Sequence, residues 1–140
     1  MTDFVSQTQV INAPQEAVFN KLSDWSGLEQ FASLLPADKV SDIRSDADSV
    51  RFKPNFPGVG EMGVRIIERE PCKTIKVAAD DSPVDFTAWL QLKKKDENSS
   101  YVRITVRADI PLLLRGVISK PLQEGVDKLA EALASGKIPF

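Results

Sequence analysis

The apolar residues near the C-terminus recur with a helical period over about five turns. Leu114, Ile118, Leu122, Val126, Leu129 and Leu133 follow one another at steps of three or four residues. This spacing places them on one face of an amphipathic helix, and we expect that face to be buried. The residues of the opposite face, expected in solvent, are Lys120, Gln123, Glu124, Asp127, Lys128 and Glu131.

Proline and glycine residues mark the ends of this predicted helix and one irregularity within it. Pro111 suits the first helical position, and Gly136 suits the left-handed residue that follows a last turn. Pro121 cannot donate a hydrogen bond to the preceding turn. We therefore expect a helix over 111–136 that is kinked, or that consists of two helices meeting at 119–121.

Upstream of this helix the apolar residues mostly alternate with polar ones, which is typical of strands with one buried face. A first strand is predicted over 4–11, followed by a short helix that begins at Pro14. A second short helix is predicted between a capping box at 26–29 and Pro36. Short, turn-rich links favour antiparallel pairing of the later strands. These strands are predicted over 40–44, 49–53, 62–68, 74–79, 84–93 and 101–109.

This order of elements predicts an antiparallel sheet that packs its apolar face on the terminal helix. The chain resembles the START/SRPBCC superfamily of birch-pollen-allergen-like, helix-grip proteins, with bacterial polyketide-cyclase-like members. Two segments carry the resemblance, 10–24 (VINAPQEAVFNKLSD) and 63–76 (GVRIIEREPCKTIK). It implies one α+β domain over 1–140, with a curved sheet of about seven strands around a long C-terminal helix and two short helices after the first strand.

The resemblance also implies a cavity between sheet and helix that binds or transports a small hydrophobic or amphipathic ligand, lipid-like or polyketide-like, without catalysis. The residues expected to line it are Phe31, Phe52, Met62, Val64, Ile66, Phe86, Ala88, Leu90, Ile104, Val106, Arg115, Ile118, Leu122, Val126 and Leu129. Two alternatives stay open. The chain is either an enzyme of the polyketide cyclase or dehydratase type, or a protein-interaction module that uses the outer sheet face around Trp89.

The composition limits the kinds of partner and the compartment that we expect for this protein. The chain of 140 residues has a net charge of -2, so it lacks the basic field that holds nucleic acid, and no nucleic-acid partner is expected. No stretch has the length of a membrane span, and the start lacks the apolar core of a signal peptide. The single cysteine, Cys72, agrees with a reducing compartment, so we expect a cytoplasmic protein. A homodimer is left open.

The residue inventory excludes several kinds of site. There is no histidine, so we expect no catalytic triad, no metal site and no cofactor. The segment 58–63 matches the dinucleotide-binding pattern in letters, but alternating residues follow it where that pattern needs a helix, so we expect no nucleotide to bind. A role for the loop over 55–60 in gating the cavity is an alternative to a plain turn.

Charged residues give two further expectations. Glu61, Glu68, Glu70 and Asp85 lie beside turns or on outer faces and are expected in solvent. Arg115 has two interpretations. On an unbroken helix it falls within the buried arc and would need a carboxylate partner, whereas a bend at Pro121 would leave it in water.

Overall fold

The computed structural model describes residues 2–29, 40–54, 60–82 and 84–140. Its strands are β1 Thr2–Val5, β2 Gln9–Ile11, β3 Val40–Ser45, β4 Ser49–Pro54, β5 Met62–Glu70, β6 Thr74–Asp80, β7 Phe86–Asp96 and β8 Ser99–Ala108. Its helices are α1 Gln15–Leu22 and α2 Arg115–Ala134, with a 3-10 turn at Leu112–Leu114 before α2. The six strands predicted after residue 39 are thus confirmed, with ends that move by a few residues.

The strands form one antiparallel sheet in the order β1-β8-β7-β6-β5-β4-β3, and β2 also pairs with β8. The first predicted strand is divided in two at Ser6. The Ser6 amide donates to the Ile104 carbonyl at 2.8 Å, and the Ser6 hydroxyl accepts from the Ile104 amide at 2.9 Å. The side chain therefore replaces one backbone partner at the bend, and both halves stay paired with β8.

Helix α1 follows the first strands as predicted, with Pro14 directly before it, and it buries Val18 and Phe19. The predicted capping box does not form. The Glu29 carboxylate accepts from the Ser45 amide and hydroxyl, and Asp24 accepts from the Ser26 amide at 3.0 Å. Tertiary contact with β3 thus takes the glutamate that local capping would have used. The rest of the predicted second helix lies outside the described residues.

Helix α2 begins at Arg115, four residues later than predicted. The segment after Pro111 forms the 3-10 turn, in which the Leu114 amide donates to the Pro111 carbonyl at 2.8 Å. From Arg115 the chain remains one α-helix through Pro121, so the alternative of two separate helices is wrong. The predicted end is confirmed, because Gly136 has a φ of 81° just beyond the last turn.

The buried face of α2 is turned relative to the predicted one. Val126, Ala130 and Leu133 are buried, whereas Leu129 is 40% exposed. The expectation that Leu129 faces the sheet is therefore wrong. Apolar spacing alone included Leu129 because a wide arc admits it, but the packed arc is narrower and is centred nearer to Ala130.

Two polar side chains explain this rotation. Gln123 donates to the Val5 carbonyl at 3.0 Å, and Asp127 accepts from the Gln7 amide at 3.1 Å. Gln123 also donates to Asp127 at 3.1 Å. Both residues were expected in solvent, but they fasten α2 to the backbone exposed where β1 gives way to β2. Such unpaired backbone groups need partners, and the helix supplies them.

The core lies between the concave face of the sheet and the two helices. Its buried apolar members on the strands are Phe4, Ile11, Ile66, Ile75, Val77, Ala88, Leu92, Val102, Ile104, Val106 and Ala108. Among the described residues, no helix is both long enough and apolar enough to cross a membrane.

Candidate functional site

The concave face of the sheet differs in burial from one side to the other. On β8 every second residue from Val102 to Ala108 is buried. On β4, on the first half of β5 and at two positions of β7, residues of the same face remain half-buried. We call this group the apolar strip, and its members are Val50, Phe52, Met62, Val64, Phe86 and Leu90.

The strand registers bring the apolar strip together. Val50 pairs with Val64, and Phe52 pairs with Met62, across β4 and β5. Val64 pairs with Ala79, which lies on the same face of β6 as Val77. Because side chains on paired positions project to one face, the four strip members on β4 and β5 form one continuous apolar surface. Leu90 on β7 instead pairs with the buried Ile75 and Ile104.

Helix packing explains why the strip is half-buried. Helix α2 packs chiefly on β1, β2 and β8, and α1 packs on β6, β7 and β8. Strands β4 and β5 receive little cover from either helix. Ile118 and Leu122, in the N-terminal half of α2, are half-buried as well and pack at the edge of the core. The strip and these two residues are therefore both partly accessible to solvent.

The residues predicted to line a cavity therefore divide into groups. The buried ones are Ile66, Ala88, Ile104, Val106 and Val126. The half-buried ones are Phe52, Met62, Val64, Phe86, Leu90, Ile118 and Leu122. Leu129 and Arg115 are exposed, and Phe31 lies outside the described residues. The half-buried group is the part that a ligand would contact without displacing the core.

Arg115 lies at the start of α2 and is exposed. Its Nε donates to the Ile110 carbonyl at 3.3 Å. The guanidinium is therefore solvated, and its other N–H groups have no partner among the described residues. A carboxylate bound there would lie outside the apolar strip.

The titratable groups with clear pKa shifts lie on the outside. A hydrogen bond from Arg51 lowers the pKa of Glu61, which also pairs with Arg44. A hydrogen bond from Arg107 likewise lowers the pKa of Asp3. Glu68, Glu70 and Asp85 are exposed, as predicted. In the described ranges, every carboxylate whose pKa is clearly shifted has a lowered pKa. A lowered pKa favours the charged carboxylate over the protonated acid that could donate a proton.

The outer face of the sheet carries Trp89, as the alternation of β7 predicts. Lys76 and Arg107 lie over its ring, at 5.9 and 5.5 Å from the ring centre. Arg107 also pairs with Asp3 at 2.9 Å. The tryptophan is half-buried and is held by its own cross-strand neighbours, since cations favour the face of an indole ring.

Two surface depressions lie away from the apolar strip. One, of about 360 Å³, is polar and is lined by Asp46, Ala47, Asp48, Ser49, Arg65 and Asp80. The other, of about 140 Å³, lies at the C-terminal end of α2 and is lined by Ile11, Asn12, Ala13, Leu133, Ala134, Gly136, Ile138 and Phe140. The first is open and charged and the second is small, so neither suits an apolar ligand of lipid size. Over the described parts of the chain, no cluster of three potential metal ligands is found.

No protein-family model matches the sequence, and no curated protein matches it either. Solved structures match over nearly the whole chain. Norcoclaurine synthase from Thalictrum flavum is 15% identical, with a TM-score of 0.69 over 96% of this chain and 86% of that chain. A START superfamily protein from Mycobacterium smegmatis is 11% identical, with a TM-score of 0.65 over 95% and 94%. Protein XoxI from Bacillus cereus is 16% identical, with a TM-score of 0.64 over 96% and 94%.

This chain has the START/SRPBCC helix-grip fold. The fold resemblance predicted from 10–24 and 63–76 is confirmed, and so is the antiparallel sheet around a long C-terminal helix. The helix-grip fold is commonly a ligand-binding fold, and some proteins that have it are enzymes. At these levels of identity the likeness extends to the fold and not to an activity.

Within the helix-grip fold, sequence reasoning missed some residues that shape the site. Val50 belongs to the apolar strip, and its position two residues before Phe52 on one strand was the available signal. Gln123 and Asp127 gave no such signal, because a polar residue on a helix is normally read as solvated. Their role depends on the unpaired backbone between β1 and β2, which only the fold brings to them.

Proposed function

We propose that this protein binds a small apolar or amphipathic ligand on the apolar strip, without chemical conversion. The observation that carries the proposal is the half-burial of the strip within a concave sheet whose other side is closed. Apolar surface that is concave and only partly covered is the usual form of a small-molecule site.

The comparison with norcoclaurine synthase supports the proposal at the level of fold. That enzyme has been solved in complex with dopamine and hydroxybenzaldehyde, so a protein of this fold accommodates small aromatic molecules. The strip in the present chain is aliphatic and aromatic, with Phe52 and Phe86 as its bulky members. We infer that it takes an apolar body, and that any polar head group lies at the rim near Arg115.

An enzymatic role of the cyclase type would need an acid–base pair directed at the ligand. Along the described face, the strip consists of hydrocarbon side chains and the thioether of Met62. Glu61, whose pKa is lowered, forms an ion pair with Arg51 on the opposite face. Binding without conversion is therefore the function that the described side chains favour.

The proposal is tested by filling the strip. Native mass spectrometry of the freshly purified protein would first reveal a retained ligand. A fluorescent fatty-acid analogue, dansyl-undecanoic acid, would then be titrated into the wild type and Val64→Trp. An indole at Val64 occupies the strip, and a clash of about 1–3 kcal/mol corresponds to binding that is weaker by about fivefold to 150-fold.

Thr87→Trp is the matched control, because Thr87 is half-buried on the outer face of β7, next to Phe86. It adds the same indole outside the strip and should leave probe binding unchanged. Equal affinity of wild type and Val64→Trp would exclude the strip as the site. Equal weakening by both variants would show that the effect is not local.

A further inference from the structure

The turn before α2 presents a cluster of exposed apolar side chains. Leu112 is 77% exposed, Leu113 93%, Leu114 41% and Val117 57%. We call these four residues the leucine knob. Single exposed apolar residues are ordinary on a protein surface, but a contiguous group marks a surface that meets another apolar phase.

Local structure explains why the knob cannot bury itself. Leu112–Leu114 form one 3-10 turn, in which three consecutive side chains point in three directions. At most one of them can face the core. The fold would tolerate polar residues at the two positions that face away from the core. The turn itself therefore does not require leucine at these positions.

The charged residues within the segment that carries the knob have one sign, whereas the exposed carboxylates of Asp85 and Asp109 lie on its N-terminal side. Between Pro111 and Gln123 the charged residues are Arg115 and Lys120, both cations and both exposed. Neither forms an ion pair with a described residue; Arg115 donates only to the Ile110 carbonyl. The first acidic residues on either side are Asp109 and Glu124. The segment is thus an apolar tip with a cationic flank in a chain whose net charge is negative.

We propose that the leucine knob docks on an anionic lipid surface. Apolar tips that enter the acyl boundary, with cations at the depth of the head groups, are the composition of interfacial protein segments. A second copy of this chain fits less well. Stable dimers bury about 800 Å² on each partner, more than four side chains on one turn provide, and two such cationic flanks would repel each other.

Docking would also orient the molecule. Asp109, two residues before Pro111, donates its amide to the Asp85 carbonyl at 2.9 Å, so the knob lies at the end of the sheet where β7 begins. Phe86 of the apolar strip is at that end. The inference stands without the proposed function, but together they place the open strip toward the lipid from which an apolar ligand would come.

The test is cosedimentation with vesicles of phosphatidylcholine, with and without phosphatidylserine, and without added ligand. The wild type should bind the phosphatidylserine vesicles, and binding should fall as salt is raised. The double variant Leu112→Gln with Leu113→Gln should bind at least about tenfold more weakly, because two leucines no longer enter the acyl boundary. Arg115→Gln with Lys120→Gln should lose most of the preference for phosphatidylserine.

Ile67→Gln is the matched control, because Ile67 is 51% exposed on β5 and outside the knob. It should bind vesicles as the wild type does. Absence of wild-type binding to both kinds of vesicle would overturn the proposal, as would equal weakening by Ile67→Gln. A wild-type dimer in sedimentation velocity that the leucine double variant abolishes would assign the knob to self-association instead.

The variants change exposed residues, so circular dichroism should show an unchanged fold. The proposal and the proposed function fail separately. Loss of probe binding in Val64→Trp with no vesicle binding by the wild type would retain the ligand site and remove the lipid surface. Unchanged probe binding in Val64→Trp together with vesicle binding by the wild type would retain the lipid surface and remove the ligand site.

Discussion

The two halves of α2 have the same apolar spacing but different surroundings. In the C-terminal half Val126, Ala130 and Leu133 are buried, and Gln123 and Asp127 hold the helix to the first strands. In the N-terminal half, Arg115–Leu122, the best covered side chains are only half-buried. The C-terminal half fastens the helix to the sheet, whereas the apolar side chains of the N-terminal half stay partly accessible to solvent.

This difference shows that an amphipathic pattern identifies the residues that can be buried. It does not show which of them are buried in the folded protein. Burial needs a partner surface at packing distance. Helix α2 packs chiefly on β8, β1 and β2, and its buried residues all lie in the C-terminal half. Pro121 lies at the boundary. Its missing amide removes one hydrogen bond to the turn before it, which weakens the connection between the halves.

The largest expected effect compares equivalent truncations in the two halves. Leu133→Ala should lower the free energy of unfolding by about 2–5 kcal/mol, as loss of a buried leucine does. Leu122→Ala, at a half-buried position, should cost about half as much or less, because less hydrocarbon leaves the core and water can fill the space. Denaturant midpoints of the two variants measure this, and equal losses would mean that both halves are equally packed.

A substitution at the boundary should act in the other direction. Pro121→Ala restores a backbone donor and removes a ring that crowds the preceding turn, so we expect a gain of about 1 kcal/mol or more in the free energy of unfolding. Hydrogen exchange should show the gain as slower exchange in 115–120. A destabilised variant would indicate that the present backbone at Pro121 is required for packing.

The polar fastening of the C-terminal half is testable with a neighbouring control. Asp127→Ala removes the acceptor of the Gln7 amide and should cost about 0.5–1.5 kcal/mol. Glu124→Ala, on the exposed side of the same turn, should change stability by no more than a few tenths of a kcal/mol. A result in which Glu124→Ala costs as much would assign the loss to helix propensity or net charge instead.

The smallest expected effect concerns the strand beneath the fastened half. The pKa of Asp3 is lowered by its hydrogen bond from Arg107, so the folded state binds the proton less readily than the unfolded chain. The stabilisation is complete above the ordinary carboxyl pKa and is lost as pH falls through the lower, folded value. Asp3→Asn should therefore reduce stability slightly at neutral pH and reduce its decline in acid. Unfolding curves of the wild type and of Asp3→Asn at neutral and acidic pH measure this effect. If the free energy of unfolding falls equally in both proteins as the pH is lowered, the ion pair contributes nothing.

A ligand contact at Arg115 would distinguish the N-terminal half of α2 from the C-terminal half by binding rather than by stability. For a fatty acid and its neutral methyl ester, Arg115→Ala should weaken only the acid. The factor should be modest, about twofold to fivefold, because an exposed ion pair contributes about 1 kcal/mol or less. Titration of both ligands measures it. Equal weakening of the two would indicate a disturbed helix start.

The sequence by itself determined the order of elements, the antiparallel meander and the extent of the terminal helix to within a few residues. Alternation and helical period are local consequences of which side chains can share a face, so they survive without knowledge of the partner. The resemblance at 10–24 and 63–76 supplied the helix-grip arrangement. Seven of the fifteen predicted lining residues are half-buried, five on the concave face of the sheet and two on α2, and they remain candidates for ligand contact.

Only the tertiary structure decided how far the helix covers the sheet. The bend at Ser6 leaves backbone groups that Gln123 and Asp127 satisfy, and these bonds rotate α2 so that Ala130 is buried and Leu129 is not. Likewise, no local rule predicts that Leu112 and Leu113 point away from the core. An apolar residue is expected to be buried unless the structure shows otherwise. Burial depends on contacts between residues about a hundred positions apart, and those distances exist only once the chain has folded.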